Sequence, residues 1–178
     1  MRELLTDGVI TLHRYTLQDA EDLHTAGLES VKEVYPWLPW CRPDYAREEA
    51  TSWISGVVQA WDEGRSFEFV IRTASGAHIG GGGINDVNAA QPMANLGYWV
   101  RSSQLGNGYA TRAARLLGEF GIQELKLQRV EIVVAVTNHR SLRVAQKSGA
   151  IQEGILRNRI VIHGRPHDAV MHSLIPVP

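Results

Sequence analysis

The chain has 178 residues, 44% hydrophobic and 21% charged, with a formal net charge of -1. That is the size and balance of one folded domain with a sizeable core, and it excludes a basic nucleic-acid binder, an acidic disordered tail and a membrane span. One cysteine, Cys41, can close neither an internal disulfide nor a thiolate metal site; with no signal-peptide core in "MRELLTDGVITLHR", a soluble cytoplasmic protein is expected.

In chain order, "GVITLHRY" (8–15) is β-branched enough to read as a strand, and "QDAEDLHTAGLESV" (18–31) as a helix with Asp19 at its N-cap. "YPWLPWCRPDY" (35–45) holds three prolines, which remove donors and forbid a helix, so an ordered loop is expected. "REEATSWISGVVQAWDEG" (47–64) is an amphipathic helix with Trp53, Val57 and Trp61 on one face and Gly64 as its stop. "SFEFVIRTASG" and "AHIGGGGIND" predict an antiparallel hairpin around Ser75-Gly76. A strand over 94–102, a helix over 108–125 and a buried strand over 128–137 come next. A short helix, "HRSLRVAQKSGA", closes at Gly149, and "IQEGILRNRIVIHG" and "DAVMHSLIPV" supply two last strands. Strands and helices alternate without strict βαβ regularity and no linker divides them. One α/β domain over 1–178 with a mixed sheet is the expected class.

The stretch with most chemistry in it is "QLGNGYATRAA" (104–114). A strand runs into a turn containing Gly106 and Gly108, and a helix begins near Gly108. The first turn of a helix leaves amide N–H groups without partners and carries partial positive charge, so the stretch is either a phosphate cradle or a plain tight turn. A dinucleotide fingerprint wants Gly or Ala where Thr111 stands, and Glu131 falls at the start of its strand rather than the end. No Gly-Lys-Ser/Thr follows, which rules out a Walker loop.

Around that turn the sequence resembles the GNAT superfamily of acetyl-CoA-dependent N-acetyltransferases, in the branch of the ribosomal-protein alanine and serine N-acetyltransferases. The resemblance rests on "LGYWV" (96–100), "LGNGYATRAARLL" (105–117), "NHRSLRVAQKSGA" (138–150), "EGILR" (153–157) and "GRPHDAVMHSLI" (164–175), with the early "PWLPW". It implies a mostly antiparallel central sheet with flanking helices. The family's Q/R-x-x-G-x-G/A loop is matched by Leu105-Gly106-Asn107-Gly108-Tyr109-Ala110, with Leu105 in place of the leading polar residue. By resemblance, amides from Leu105 to Thr111 hold the pyrophosphate of acetyl-CoA, and Tyr98, Trp99, Val100 and Arg101 pair their backbone with the pantetheine arm. Asn138 contacts that arm and also suits a helix N-cap. Ser141 is the candidate general acid for the leaving thiolate, and the Val100 N–H the candidate oxyanion donor. Lys147 is either a ligand of the cofactor's 3′-phosphate or an ordinary surface lysine. No metal is implied, and the histidines 163, 167 and 172 lack ligand spacing. Similar enzymes are commonly homodimers.

The acceptor half is less legible. Family glutamates that serve as general base are replaced by Asn95 and Ile160; Glu68, Asp86, His139, Asp168 and Glu153 remain, each with a structural reading at hand. An α-amine titrates near about 7.7–8.0 and a lysine amine near about 10.4, so a weakly assisted site suits an α-amine or a small amine of low pKa. Trp37, Leu38 and Trp40 offer an apolar wall for that acceptor or plain core packing. Gly80–Gly83 either admits the acetyl group or forms a bulged strand. Two other functions stand beside the enzyme: an acyl-CoA-binding domain without turnover, supported by the missing carboxylates, and a nucleotide-dependent oxidoreductase, opposed by Thr111 and Glu131.

Overall fold

A computed structural model describes residues 2–176. Eight strands form one open sheet: β1 (Leu4–Thr6), β2 (Ile10–Arg14), β3 (Phe67–Thr73), β4 (His78–Asn88), β5 (Met93–Val100), β6 (Arg129–Ala135), β7 (Ile151–Ile162) and β8 (Arg165–Leu174). Their order is β1-β2-β3-β4-β5-β6-β8-β7, and only β5 and β6 run parallel. The helices are α1 (Ala20–Glu29), α2 (Val31–Val34), α3 (Arg47–Asp62), α4 (Tyr109–Gln123) and α5 (His139–Lys147).

Side chains alternate across β3 because a strand repeats every two residues. Phe69 and Ile71 join one core cluster with Leu117 and Phe120 of α4, while Val70 joins the other with Leu23 of α1 and Ile54 of α3. Phe120 packs edge-on to Phe67 and Phe69, with centroids 5.8 and 5.3 Å away. Fully burying one such ring is worth roughly 1.5–3 kcal/mol, so these aromatics anchor the α4 side of the sheet.

The expected elements are present, with corrections at their ends. A short strand, β1, precedes the expected 8–15 strand and pairs with it, as β2, around Asp7 and Gly8; three residues are too few to show a period. Asp19 ends a 3-10 turn before α1, and its carboxylate turns back to accept from the Thr16 N–H and hydroxyl instead of capping α1. The buried stripe of α3 is Ala50, Ile54 and Trp61, with Val57 and Val58 partly covered; Trp53 lies outside it, 42% exposed. The 35–45 loop is ordered, with Cys41 and Tyr45 buried. The β3–β4 hairpin turns at Gly76, whose φ of 89 needs glycine, and Gly149 ends α5 with φ 97. The last strand ends at Leu174; Val177, the end of the expected segment, lies outside the described residues. Among the described residues no helix is long and apolar enough to cross a membrane.

Candidate active site

β5 and β6 pair only from Met93 to Asn95 against Arg129 to Glu131. Beyond that point β5 stays bonded to β4 and β6 to β8, and the two inner edges part. Pro92 accepts from the Gln128 N–H at the closed end, and the Arg101 N–H donates to Ile79 on the β4 side. Alternation along an extended strand therefore turns the N–H and C=O groups of Leu96, Tyr98 and Val100 toward the gap. On the other flank of β5, the register of β4 against β3 slips between Ile71 and Arg72, leaving Ile79 as the extra residue of a bulge beside Gly80, the partner of Val100. The expected oxyanion donor, Val100, thus lies on the open edge next to a bulge.

The loop after β5 makes one 3-10 turn (Ser102–Gln104), and then Gly106 and Gly108 take φ of 86 and 77 before α4 starts at Tyr109. A Cβ on either glycine would touch nothing. What they supply is the left-handed backbone of the turn, not room for a close neighbour. Among the described residues, the N–H groups from Gly106 to Thr111 find no hydrogen-bond acceptor within the chain. Any helix leaves its first four N–H groups without intrahelical partners; here Gly106 and Asn107 extend that row to six, an arrangement that suits an anion. The Leu105 N–H is the exception, spent on Ser102 at 3.3 Å.

Asn138 caps α5, its Oδ1 accepting from the Ser141 N–H at 3.1 Å. This fixes the backbone of Ser141 and leaves its hydroxyl to the cavity. The Tyr98 hydroxyl lies 3.0 Å from Ser141 Oγ and 3.2 Å from the Ser141 carbonyl oxygen. Burial pushes the Tyr98 phenol up to about 12, so it keeps its proton at neutral pH; that proton reaches the Ser141 carbonyl, and the two hydroxyls share a hydrogen bond in which either can donate. This side-chain partnership between β5 and α5 is absent from the sequence pattern, since 43 residues separate the two.

The gap widens into a cavity of about 740 Å³. Tyr98, Trp99, Val100, Leu105, Ala110, Asn138 and Ser141 line it from the β5–α5 side, and Trp37, Leu38 and Trp40 from the loop. The donor-side residues and the apolar wall therefore meet in one space. Trp40 lines the cavity and also packs edge-on to Tyr45 and Trp99, at 5.2 Å in each case. Lys147 does not reach the cavity; it is exposed at the far end of α5, with its carbonyl accepting from Arg115. Arg101 is tied to Glu29.

The carboxylates sort just as plainly. Glu153 is locked to Arg129 and Ser173, which pulls its pKa down to about 2. Asp168 accepts from the Asn158 N–H on the β7–β8 hairpin, and His139 is exposed at the start of α5. Asn95 and Ile160, the positions of the missing family glutamates, do line the cavity. So does Glu68, reached from β3; the hint in the sequence was a carboxylate between two phenylalanines, opposite a run of glycines. Cys41 is buried against the Gly27 carbonyl, its thiol pushed up to about 11, and does not line the cavity. Among the described residues no three His, Cys, Asp or Glu side chains gather so as to hold a metal.

The family model for the acetyltransferase (GNAT) domain matches residues 10–151, which span the split sheet, the glycine turn and the cap of α5. The chain belongs to the GNAT acetyltransferase family. YdaF of Bacillus subtilis, a candidate ribosomal N-acetyltransferase, is 34% identical over 92 residues, 52% of this chain and 50% of its own length. This chain therefore spans about half of that relative. The ribosomal-protein-serine acetyltransferase of Escherichia coli is 25% identical over 170 residues, 89% of this chain and 94% of its own. Among solved GNAT structures, Mycobacterium smegmatis RimJ in complex with a CoA-disulfide superposes with a TM-score of 0.87 at 28% identity, covering 97% of this chain and 85% of RimJ. The fold is that of an acetyl-CoA-dependent transferase, an α/β domain with an eight-stranded, mostly antiparallel open sheet.

Proposed function

We propose that this chain transfers the acetyl group of acetyl-CoA to the α-amine of a protein N-terminus, by direct attack of the amine and without a covalent acyl-enzyme. The observation that carries the reading is the parting of β5 and β6 beyond Asn95, with the free amides of Gly106–Thr111 at one end of the gap and the Tyr98–Ser141 pair beside it. Those amides suit a pyrophosphate, and the open edge of β5 suits an extended pantetheine arm. Acetyl-CoA supplies an activated thioester carbonyl. The chain contributes alignment, the Val100 N–H for the developing oxyanion, and Ser141, backed by Tyr98, as proton donor to the leaving sulfur. Lys147 is proposed only as a distal contact for the 3′-phosphate. The acceptor enters from the side of Trp37, Leu38 and Trp40. The relatives named for ribosomal-protein acetylation favour a protein N-terminus over a small amine, and a cytoplasmic setting fits the lone buried thiol. A cofactor-binding domain without turnover loses its support, because the cavity does hold a carboxylate, Glu68.

The test is thiol release from acetyl-CoA in the presence of a Ser-starting peptide, the same peptide blocked at its N-terminus but carrying a free lysine, and a polyamine. Release with the free N-terminus alone is expected. Release only with the polyamine or the lysine peptide would reject the acceptor assignment.

A further inference from the structure

Among the described residues three glutamates line the cavity, Glu33, Glu49 and Glu68, and Glu68 is the one that reaches it from the central sheet. Glu49 is paired with Arg42 at 2.7 Å, and Glu33 accepts from the Ser102 hydroxyl. Glu68 has only neutral partners: Asn85 donates to it at 3.1 Å, and Ser66 hydrogen-bonds to it. Asn95 in turn donates to Asn85 at 2.8 Å, so an amide ladder crosses β5 and β4 to the carboxylate on β3. That ladder starts at the position where the family glutamate is missing. From the remaining neighbours, Asp86 adds like charge from β4 and the buried Tyr15 hydroxyl, with no hydrogen-bond partner, lies at the end of β2. Burial first, and Asp86 after it, push the Glu68 pKa up.

The glycines explain how this group reaches the reaction. A Cβ at Gly83 would stand 2.3 Å from Glu68 Oε2, and one at Gly81 would stand 2.5 Å from the Tyr15 hydroxyl. The Glu68 carboxylate therefore folds over β4, one strand away from β5. On this face β4 presents Gly81 and Gly83, and β5 presents Gly97 opposite Gly83. Over Gly81 the Tyr15 hydroxyl and the Trp99 indole close this face, but at Gly97 it is open: a Cβ there would find only Asn85 Nδ2, at 3.9 Å, between the carboxylate and the edge where β5 and β6 part. One strand spacing, about 4.8 Å, is too long for a direct hydrogen bond and suits two hydrogen bonds through one water.

We infer that Glu68 is the general base of the acetyl transfer, taking the proton of the acceptor amine through one water held over Gly97. The step rests on the acetyltransferase reading above. The nitrogen–carbon bond forms as the carbon–sulfur bond breaks. The bound ammonium first gives one proton through the water to Glu68, which passes it to solvent and so frees the attacking lone pair; the second leaves nitrogen by the same route as the amide forms, and sulfur gains one from Ser141, which solvent reprotonates. An uncompensated carboxylate in a protein interior also attracts a cation, which makes the acceptor's ammonium the natural occupant of this end of the cavity.

The base works only when ionised, so kcat/KM should rise with pH through an ionisation above the ordinary glutamate range. Glu68→Gln should lower kcat by about 10²-fold and remove that limb, leaving only the titration of the acceptor amine. Its acetyl-CoA affinity and melting temperature should match the wild type, which shows the fold intact. Formate added to Glu68→Ala should restore part of the rate, a response that a structural role would not give. Wild-type turnover with an unchanged Glu68→Gln rate and pH profile would overturn the assignment of Glu68 alone. Absence of turnover by the wild type with every acceptor, despite acetyl-CoA binding, would overturn the transferase reading and this one with it.

Discussion

Ser141 is held twice, by Asn138 through its N–H and by Tyr98 at its hydroxyl, so its Oγ has one position to offer a leaving sulfur. Ser141→Ala should therefore lower kcat by about 10²-fold while acetyl-CoA binding stays within about twofold, read from single-turnover rates and calorimetry. Tyr98→Phe keeps the packing and should give a smaller loss of the same kind; an unchanged rate in Ser141→Ala would remove the serine from the mechanism. Asn138 and Ser141 were readable in the sequence because a cap and its helix are local. Glu68 was readable only as one of five remaining candidates, since its reach depends on what stands across β4. The same carboxylate opposite Val or Thr at position 83 would have been forced elsewhere.

At the scale of elements, β4 shows glycine used for space and for angle. A Cβ at Gly80 would lie 2.2 Å from the Trp99 carbonyl oxygen, a backbone atom that cannot swing aside. Gly76, at the tip of the β3–β4 hairpin, has a positive φ of 89 but open surroundings. Gly76→Ala should then cost about 1–2 kcal/mol, the penalty of a left-handed residue. Gly80→Ala should cost roughly 3 kcal/mol or more, because it must also push β5 from β4 beside the oxyanion position. Chemical denaturation of the two variants checks the order; equal costs would mean that the bulge yields freely. The tetraglycine favours the bulged-strand reading at Gly80, whereas at Gly81 and Gly83 it makes room for the Tyr15 hydroxyl, the Trp99 indole and the Glu68 carboxylate. Turns, the Asn138 cap and the long strands were legible from Gly, Pro, Asn and alternation, while Asp19 turned back to Thr16 instead of capping α1. The three-residue β1 and the four-residue α2 were not, for they are too short to carry a period, and on α3 it is Ile54, not Trp53, that the fold turns inward.

For the whole molecule, the split sheet is a site that costs two strand edges their partners, and an extended ligand returns them. Acetyl-CoA at about 100 times its Kd should stabilise the fold by about 2.7 kcal/mol. For a chain of this length that is a rise in Tm of roughly 5–11 °C. Gly108→Ala, which strains a φ of 77 at the mouth of α4, should lower the starting Tm modestly and shrink the ligand-induced rise. An undiminished rise would show that the glycine turn does not hold the phosphates.

The sequence by itself determined the α/β class, nearly every element, the glycine turn leading into α4 and the cap of α5, because each depends on residues within a few positions of one another. The tertiary structure decided where β5 and β6 part, that Tyr98 meets Ser141, and that Glu68 looks past Gly97 to the open edge. Those are contacts between strands and helices far apart in the chain, and only sheet order and register bring such atoms within reach.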